Sequence, residues 1–175
     1  MKRKQGILWL GILLLVLLGI ATTYLHFTKA SESAADGSWD DMDITALTEY
    51  QSPYISDAAN VSQLFYRLPL NDLSISFAID DEACALTVTY GEPAGEYGKA
   101  ELEQNLVFNA IAAMALIDNL SEVIYEFPSG SYDISRSQAE SVLGAPLSAL
   151  LTDENWQKKV VEPLADDAFV EQFIE

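Results

Sequence analysis

Apolar positions along the chain change their spacing several times, and each spacing predicts an element. From Ile7 to Phe27 they run almost unbroken, with Thr22, Thr23, Tyr24 and His26 as the polar members near the far end. A helix over these 21 residues spans roughly 30 Å, the hydrocarbon thickness of a bilayer. Val61, Leu64, Phe65 and Leu68 then form the stripe of a short amphipathic helix, capped by Ser56 or Asp57 and ended by Pro69. Leu73, Ile75, Phe77 and Ile79 alternate with Ser74, Ser76 and Ala78, and Leu86, Val88 and Tyr90 alternate with Thr87 and Thr89. With Asp80-Asp81-Glu82 as a polar reversal between them, these two runs predict a β-hairpin, one face buried and one polar.

Gly91 to Gly98 is a loop by composition, without the lysine and spacing of a phosphate-binding loop. Lys99 to about Asn119 is the longest helical stretch. From Leu106 to Ile117 it is apolar nearly all round and rich in alanine, the pattern of a helix enclosed on most sides. Val123 to Phe127 predicts a third strand stopped by Pro128-Ser129-Gly130, and Tyr132-Asp133-Ile134 a short edge strand. Ser135-Arg136-Ser137-Gln138 is a capping box opening a helix to Leu143, with Gly144 suited to the left-handed stop. Pro146 starts a further turn, Thr152 caps the segment holding Trp156, and Phe169, Val170, Phe173 and Ile174 share one side of a last helix. The expected class is α+β: a small antiparallel sheet, hairpin plus third strand, packed against helices and preceded by one transmembrane helix.

Charge gives the two parts an orientation. The chain has 175 residues, a formal charge of −18 and a mean hydropathy of +0.12, an unusual pair that the apolar leader explains. Lys2, Arg3 and Lys4 precede the leader, and cationic flanks stay on the cytoplasmic side. The expected organisation is a cytoplasmic stub over residues 1–6, a single-pass signal-anchor over 7–27, a flexible acidic tether over 28–43 and an extracytoplasmic domain over 44–175. Trp9 and Tyr24 suit the two membrane interfaces. The rival reading is a leader cleaved after Gly19-Ile20-Ala21, against which the apolar run continues to Phe27. Both export the remainder, which carries six basic residues against all 27 acids, a balance of −21. So acidic a domain is repelled by nucleic acid and anionic headgroups, and its charge speaks first for solubility.

Candidate chemistry is sparse. His26, the single histidine, sits at the membrane edge, so a Ser–His–Asp triad, a Cys–His dyad and the usual zinc sites are not available within the chain. Cys84, the single cysteine, shares parity with Leu86 and Val88 and is expected to face the core. Asp36, Asp40, Asp41 and Asp43 lack the spacing of a calcium loop and read as a solvated charge run. Glu122 and Glu126 flank an apolar strand and mark its solvent side. Tyr54, Tyr66, Tyr90, Tyr97, Tyr125, Tyr132 and Trp156 supply either core or a contact surface. Asn60-Val61-Ser62 and Asn119-Leu120-Ser121 are formal glycosylation sequons, meaningful only in a eukaryotic cell. No catalytic, cofactor-binding or metal-ligating residue is assigned, and no cofactor is expected.

The stretch Ser52-Pro53-Tyr54-Ile55-Ser56-Asp57-Ala58-Ala59-Asn60-Val61, followed by Leu68-Pro69-Leu70, resembles the domain-of-unknown-function family 4825. Leu86 to Tyr90 is similar to its second hairpin strand, and Asn109 with Ala115-Leu116-Ile117-Asp118-Asn119 to its buried helix. The resemblance covers roughly Thr48 to Gly144. It implies a bacterial exported domain held by one amino-terminal helix, also found fused to membrane metallopeptidases of the β-lactam-sensing antirepressor type. Such a setting implies a sensory or regulatory role. This chain has no His-Glu-x-x-His motif, so protease activity does not follow. The expected function is a non-enzymatic binding or regulatory module of the cell membrane, its carboxy-terminal domain outside, with an envelope or sensor protein as partner. The alternatives are a small carboxylate-dependent envelope hydrolase and a structural subunit of an envelope complex.

Overall fold

The computed structural model describes residues 38–93 and 97–174. The expected stub and membrane anchor, His26, Asp36 and the first part of the tether lie outside the described residues. Among the described residues no helix is long and apolar enough to cross a membrane.

Packing begins within the expected tether. A 3₁₀ turn at Trp39–Asp41 and a longer one at Ile44–Tyr50 open the fold, and Trp39 and Met42 already lie against the core. The Asp43 carboxylate accepts from the amide and hydroxyl of Thr45, which starts the second turn and buries Ile44, Leu47 and Tyr50. These bonds, led by that from the Thr45 hydroxyl, hold the Asp43 carboxyl below its ordinary pKa.

Helix α1 (Ala58–Phe65) is capped by Asp57, whose side chain accepts from Asn60 N at 3.1 Å, and buries Val61, Leu64 and Phe65. After it, Leu70 holds φ +66° although it is not glycine. Its side chain is buried, and the preceding carbonyl of Pro69 accepts from Asn109 Nδ2 at 2.8 Å, so packing holds a conformation costing roughly 1 kcal/mol. Strands β1 (Ile75–Asp80) and β2 (Ala85–Tyr90) form the expected hairpin. Asp80 accepts from Glu82 N and Ala83 N to turn the loop.

Helix α2 (Lys99–Leu116) follows, then β3 (Glu122–Phe127) and β4 (Gly130–Ser135). The sheet is four-stranded and mixed, in the order β1-β2-β3-β4, with β2 and β3 parallel. This corrects the expectation of an antiparallel sheet. Alternation reports which face is buried, whereas strand direction depends on the connection, and α2 returns the chain to the end from which β2 started. The short edge strand expected at Tyr132–Ile134 is a full partner of β3, in register from Phe127↔Gly130 to Glu122↔Ser135.

One sheet face carries Phe77, Leu86, Val88, Tyr90, Val123, Tyr125 and Ile134 towards α2, and the Tyr125 hydroxyl donates to Leu106 O at 3.0 Å. The other carries Thr87, Thr89, Glu122, Glu126, Ser131 and Asp133. As its all-round apolarity predicts, α2 is buried continuously from Asn105 to Leu116. Its far side is closed by residues near the carboxyl end. Helix α3 (Arg136–Leu143) is capped by Ser135 and stopped by Gly144 at φ +62°. After a 3₁₀ turn at Leu147–Leu150, α4 runs Asp153–Trp156, widens into a π-turn at Gln157–Val161 and finishes as Glu162–Leu164. The widening precedes Pro163, whose ring crowds the carbonyl four residues back. Trp156 is fully buried and meets Phe108 edge-on at 5.5 Å. The expected last helix is a single turn, α5 (Asp167–Val170), after which the chain carries Phe173 into the core.

Candidate functional site

Two places stand out at opposite ends of α2, one built from sequence motifs and one assembled by the fold. At its carboxyl end the Ser-Pro-Tyr and Leu-Ile-Asp-Asn motifs meet. Ser52 N donates to Leu116 O and Asp118 N donates to Ser52 O, both at 2.9 Å, while the Asn119 side-chain oxygen accepts from Ile55 N at 2.7 Å. Arg136 completes the junction. Its Nε donates to Leu120 O at 2.8 Å, its Nη2 to Ile117 O at 2.8 Å and to Met114 O, and its Nη1 lies 3.6 Å from Glu140 Oε1. A cation here complements the negative end of the helix dipole and satisfies carbonyls that have no intrahelical partner. Burial pulls its pKa down, with the charge and hydrogen bond of Glu140 and the charge of Asp118 acting against that pull.

Cys84 lies beside this junction and corrects the parity expectation. It is half-buried in the hairpin loop at φ +52°, one residue before β2, where strand alternation has not begun. Its Sγ donates to Asp81 O and accepts from Asn119 Nδ2, each at 3.6 Å. Both sequon amides are occupied, since Asn60 Nδ2 donates to Tyr50 O at 2.7 Å. Chemically, the junction is a set of bonds from side chains to this chain's own backbone.

The other aromatic and acidic candidates divide between core and surface. Tyr90 and Tyr125 are buried and stacked at 6.4 Å. Burial raises both phenol pKa values; for Tyr90 an Asn109 hydrogen bond opposes the rise and the charges of Asp72 and Tyr97 add to it, and for Tyr125 the neighbouring Tyr90 adds to it. Tyr97 donates to Asp72 at 2.8 Å, and Glu126 accepts from Thr89 at 3.1 Å. Tyr54 and Tyr66 are exposed. Among the described residues no three His, Cys, Asp or Glu side chains gather as a metal would require.

The second place is a trough between β4, the amino end of α2 and the carboxy-terminal tail. A cavity of about 310 Å³ is lined by Tyr132, Asp133, Ser135, Gln138, Phe173 and Ile174. Another of about 240 Å³ shares Tyr132 and Ile174 with it and adds Lys99, Glu103 and Glu171. A third, of about 140 Å³, continues past Lys99 and Glu103 to Asp167 and Val170. The tail is tied down on both sides, by Gln138 Nε2 to Gln172 O at 2.9 Å and Gln104 Nε2 to Leu164 O at 3.0 Å, which fixes its position against α3 and α2. Glu103 is nearly enclosed, at 14 % side-chain exposure, and its ionic contact is to Lys99 at 3.6 Å, itself 83 % exposed. Of these residues only Tyr132 was singled out by sequence as a contact candidate. The rest come together through the fold.

A two-layer α+β domain with a mixed sheet, a helix crossover between its central strands and a motif-bound helix end is thus the class to which the described residues conform. The chain belongs to DUF4825, a domain-of-unknown-function family whose profile matches residues 47–137. No curated protein and no solved structure matches it. The match ends just past Arg136, so it takes in the motif junction and β4 but not the tail that forms the opposite wall of the trough.

Proposed function

We propose that the protein is a binding or regulatory module, held at the cell membrane by a single-pass anchor over residues 7–27 with its carboxy-terminal domain outside. The observation that carries the binding reading is the trough, a row of adjoining polar, carboxylate-bearing cavities whose tail wall is held in place by side-chain bonds. Binding rather than catalysis is favoured by where displaced pKa values fall. Perturbed groups cluster at catalytic sites, yet Asp43 is a cap, Tyr90 and Tyr125 are core, and Arg136 clamps a helix end. The placement rests on the leader, with its span-length apolar run and cationic flank.

Two measurements test this reading. Protease added to spheroplasts is expected to digest the domain while a cytosolic marker survives; full protection overturns the placement. Crosslinking in membranes followed by affinity purification is expected to recover a specific envelope partner, and that capture is expected to fail for variants with substituted trough residues. Capture unaffected by such variants overturns the assignment of the trough.

A further inference from the structure

The trough has a property that narrows its ligand: one wall is an unpaired strand edge. β4 is the last strand of the sheet, and among the described residues no strand pairs with its outer side. The direction of its free groups follows from the ladder. Arg136 N donates to Ser121 O at 2.8 Å, continuing the β3–β4 register by one pair, so Ser121↔Arg136 is a hydrogen-bonded pair. Bonded and non-bonded pairs alternate in an antiparallel ladder. Val123↔Ile134, Tyr125↔Tyr132 and Phe127↔Gly130 are therefore bonded, and Ser131, Asp133 and Ser135 aim their backbone groups away from β3, where Asp133 and Ser135 line the larger cavity.

Charge supplies the second half. Asp133, Glu103, Glu171 and Asp167 line the connected cavities against the single cation Lys99, whose ammonium extends from Glu103 into solvent. The half-buried Tyr132 and Ile174 provide apolar surface beside the carboxylates, over the buried Phe173 and Val170. We propose that this trough takes an extended, lysine- or arginine-bearing polypeptide segment, added as a fifth strand along β4 with its cationic side chains directed to Asp133 and Glu103. Strand addition supplies affinity through main-chain bonds and specificity through alternate side chains. An arriving ammonium or guanidinium competes with the long Lys99 contact for an almost enclosed carboxylate. The inference rests on the reading of the domain as a binding module and adds the class of its partner.

The test uses the full chain in detergent micelles and a fluorescent peptide of repeating Lys-Lys-Val-Val, whose neighbouring lysines point to opposite faces of a strand and so reach both Asp133 and Glu103. Saturable binding that weakens as salt rises is expected, with Glu103→Gln and the exposed Asp133→Asn each lowering affinity by about tenfold, the scale of one lost charged hydrogen bond. Thermal melts of both variants check that the fold is kept. A second peptide, methylated on alternate backbone nitrogens, keeps the charge but cannot complete the ladder, and it is expected to bind at least about tenfold more weakly. Equal binding of the two peptides, equal binding of a glutamate–valine peptide, or indifference to both substitutions overturns the proposal. The failures are separable. Loss of peptide binding while trough variants still abolish partner capture removes only the basic-strand ligand; a protease-protected domain that binds the peptide removes only the membrane placement.

Discussion

The two ends of α2 are built on opposite plans. At the carboxyl end, Arg136, Asn119 and Ser52 saturate the carbonyls and loops that surround it, and the most distinctive motif residues of the chain are all engaged in holding backbone. At the amino end, Gly98 supplies no side-chain cap, Lys99 extends into solvent and Glu103 faces connected cavities. A sequence motif marks what a fold cannot lose, and here that is a buried helix terminus. The surface left for recognition lies at the other end, where no motif announces it.

The comparison breaks first at Arg136. Arg136→Ala removes the side-chain donor of the Met114, Ile117 and Leu120 carbonyls, of which Ile117 O keeps the Leu120 amide, so a loss of about 3 kcal/mol is expected in urea unfolding, with Arg136→Lys restoring only part because an ammonium does not reproduce the planar fork. A melt within 0.5 kcal/mol of wild type, roughly the scatter for an indifferent surface site, would remove the clamp from the account.

Alkaline pH probes the sheet side of α2. The phenols of Tyr90 and Tyr125 are held protonated by burial, so their pKa values lie higher in the fold than in the unfolded chain. Below the unfolded value of about 10 both states carry the proton and stability is intact. Above it the unfolded chain gives up its protons first, and stability is expected to fall by about 1 kcal/mol per phenol by pH 11. Tyrosinate absorbance from these two residues should therefore rise together with the loss of circular dichroism.

Smaller effects sharpen the contrast. Asn119→Ala removes the acceptor for Ile55 N and is expected to cost about 1–2 kcal/mol in the same urea measurement. Lys99→Ala, at the open end, is expected to change stability by less than about 0.5 kcal/mol, since an exposed pair contributes little. A larger loss at Lys99 than at Asn119 would invert the assignment of rigid and open ends.

Much of this architecture was legible locally. Asp57, Ser135 with Gly144, and Thr152 cap or stop helices where their positions predict, because capping depends on neighbours three residues away. The enclosure of α2 was legible because apolarity on every side admits no solvated face. What local pattern does not carry is direction and meeting. The parallel β2–β3 pair follows from the 31-residue crossover over residues 91–121, and Cys84 leaves the core because a loop residue at positive φ has no strand parity. The trough was invisible for the same reason: Asp133, Glu103 and Glu171 belong to three separate segments, and Phe173 and Ile174 come to β4 from the tail, which follows every helix and strand described.

That late arrival bears on how the molecule is made. Trp156, Leu164, Val170 and Phe173 seal α2 from the side opposite the sheet, although they are translated after α2 and after every strand. Until they emerge, the greasiest helix of the domain has one flank uncovered, and a nascent chain in that condition attracts holdases and proteases. Burial of the hydrophobic axis thus waits on the segment that follows β4, and a premature stop codon between β4 and Phe173 should yield a product that cells clear rather than a smaller working domain.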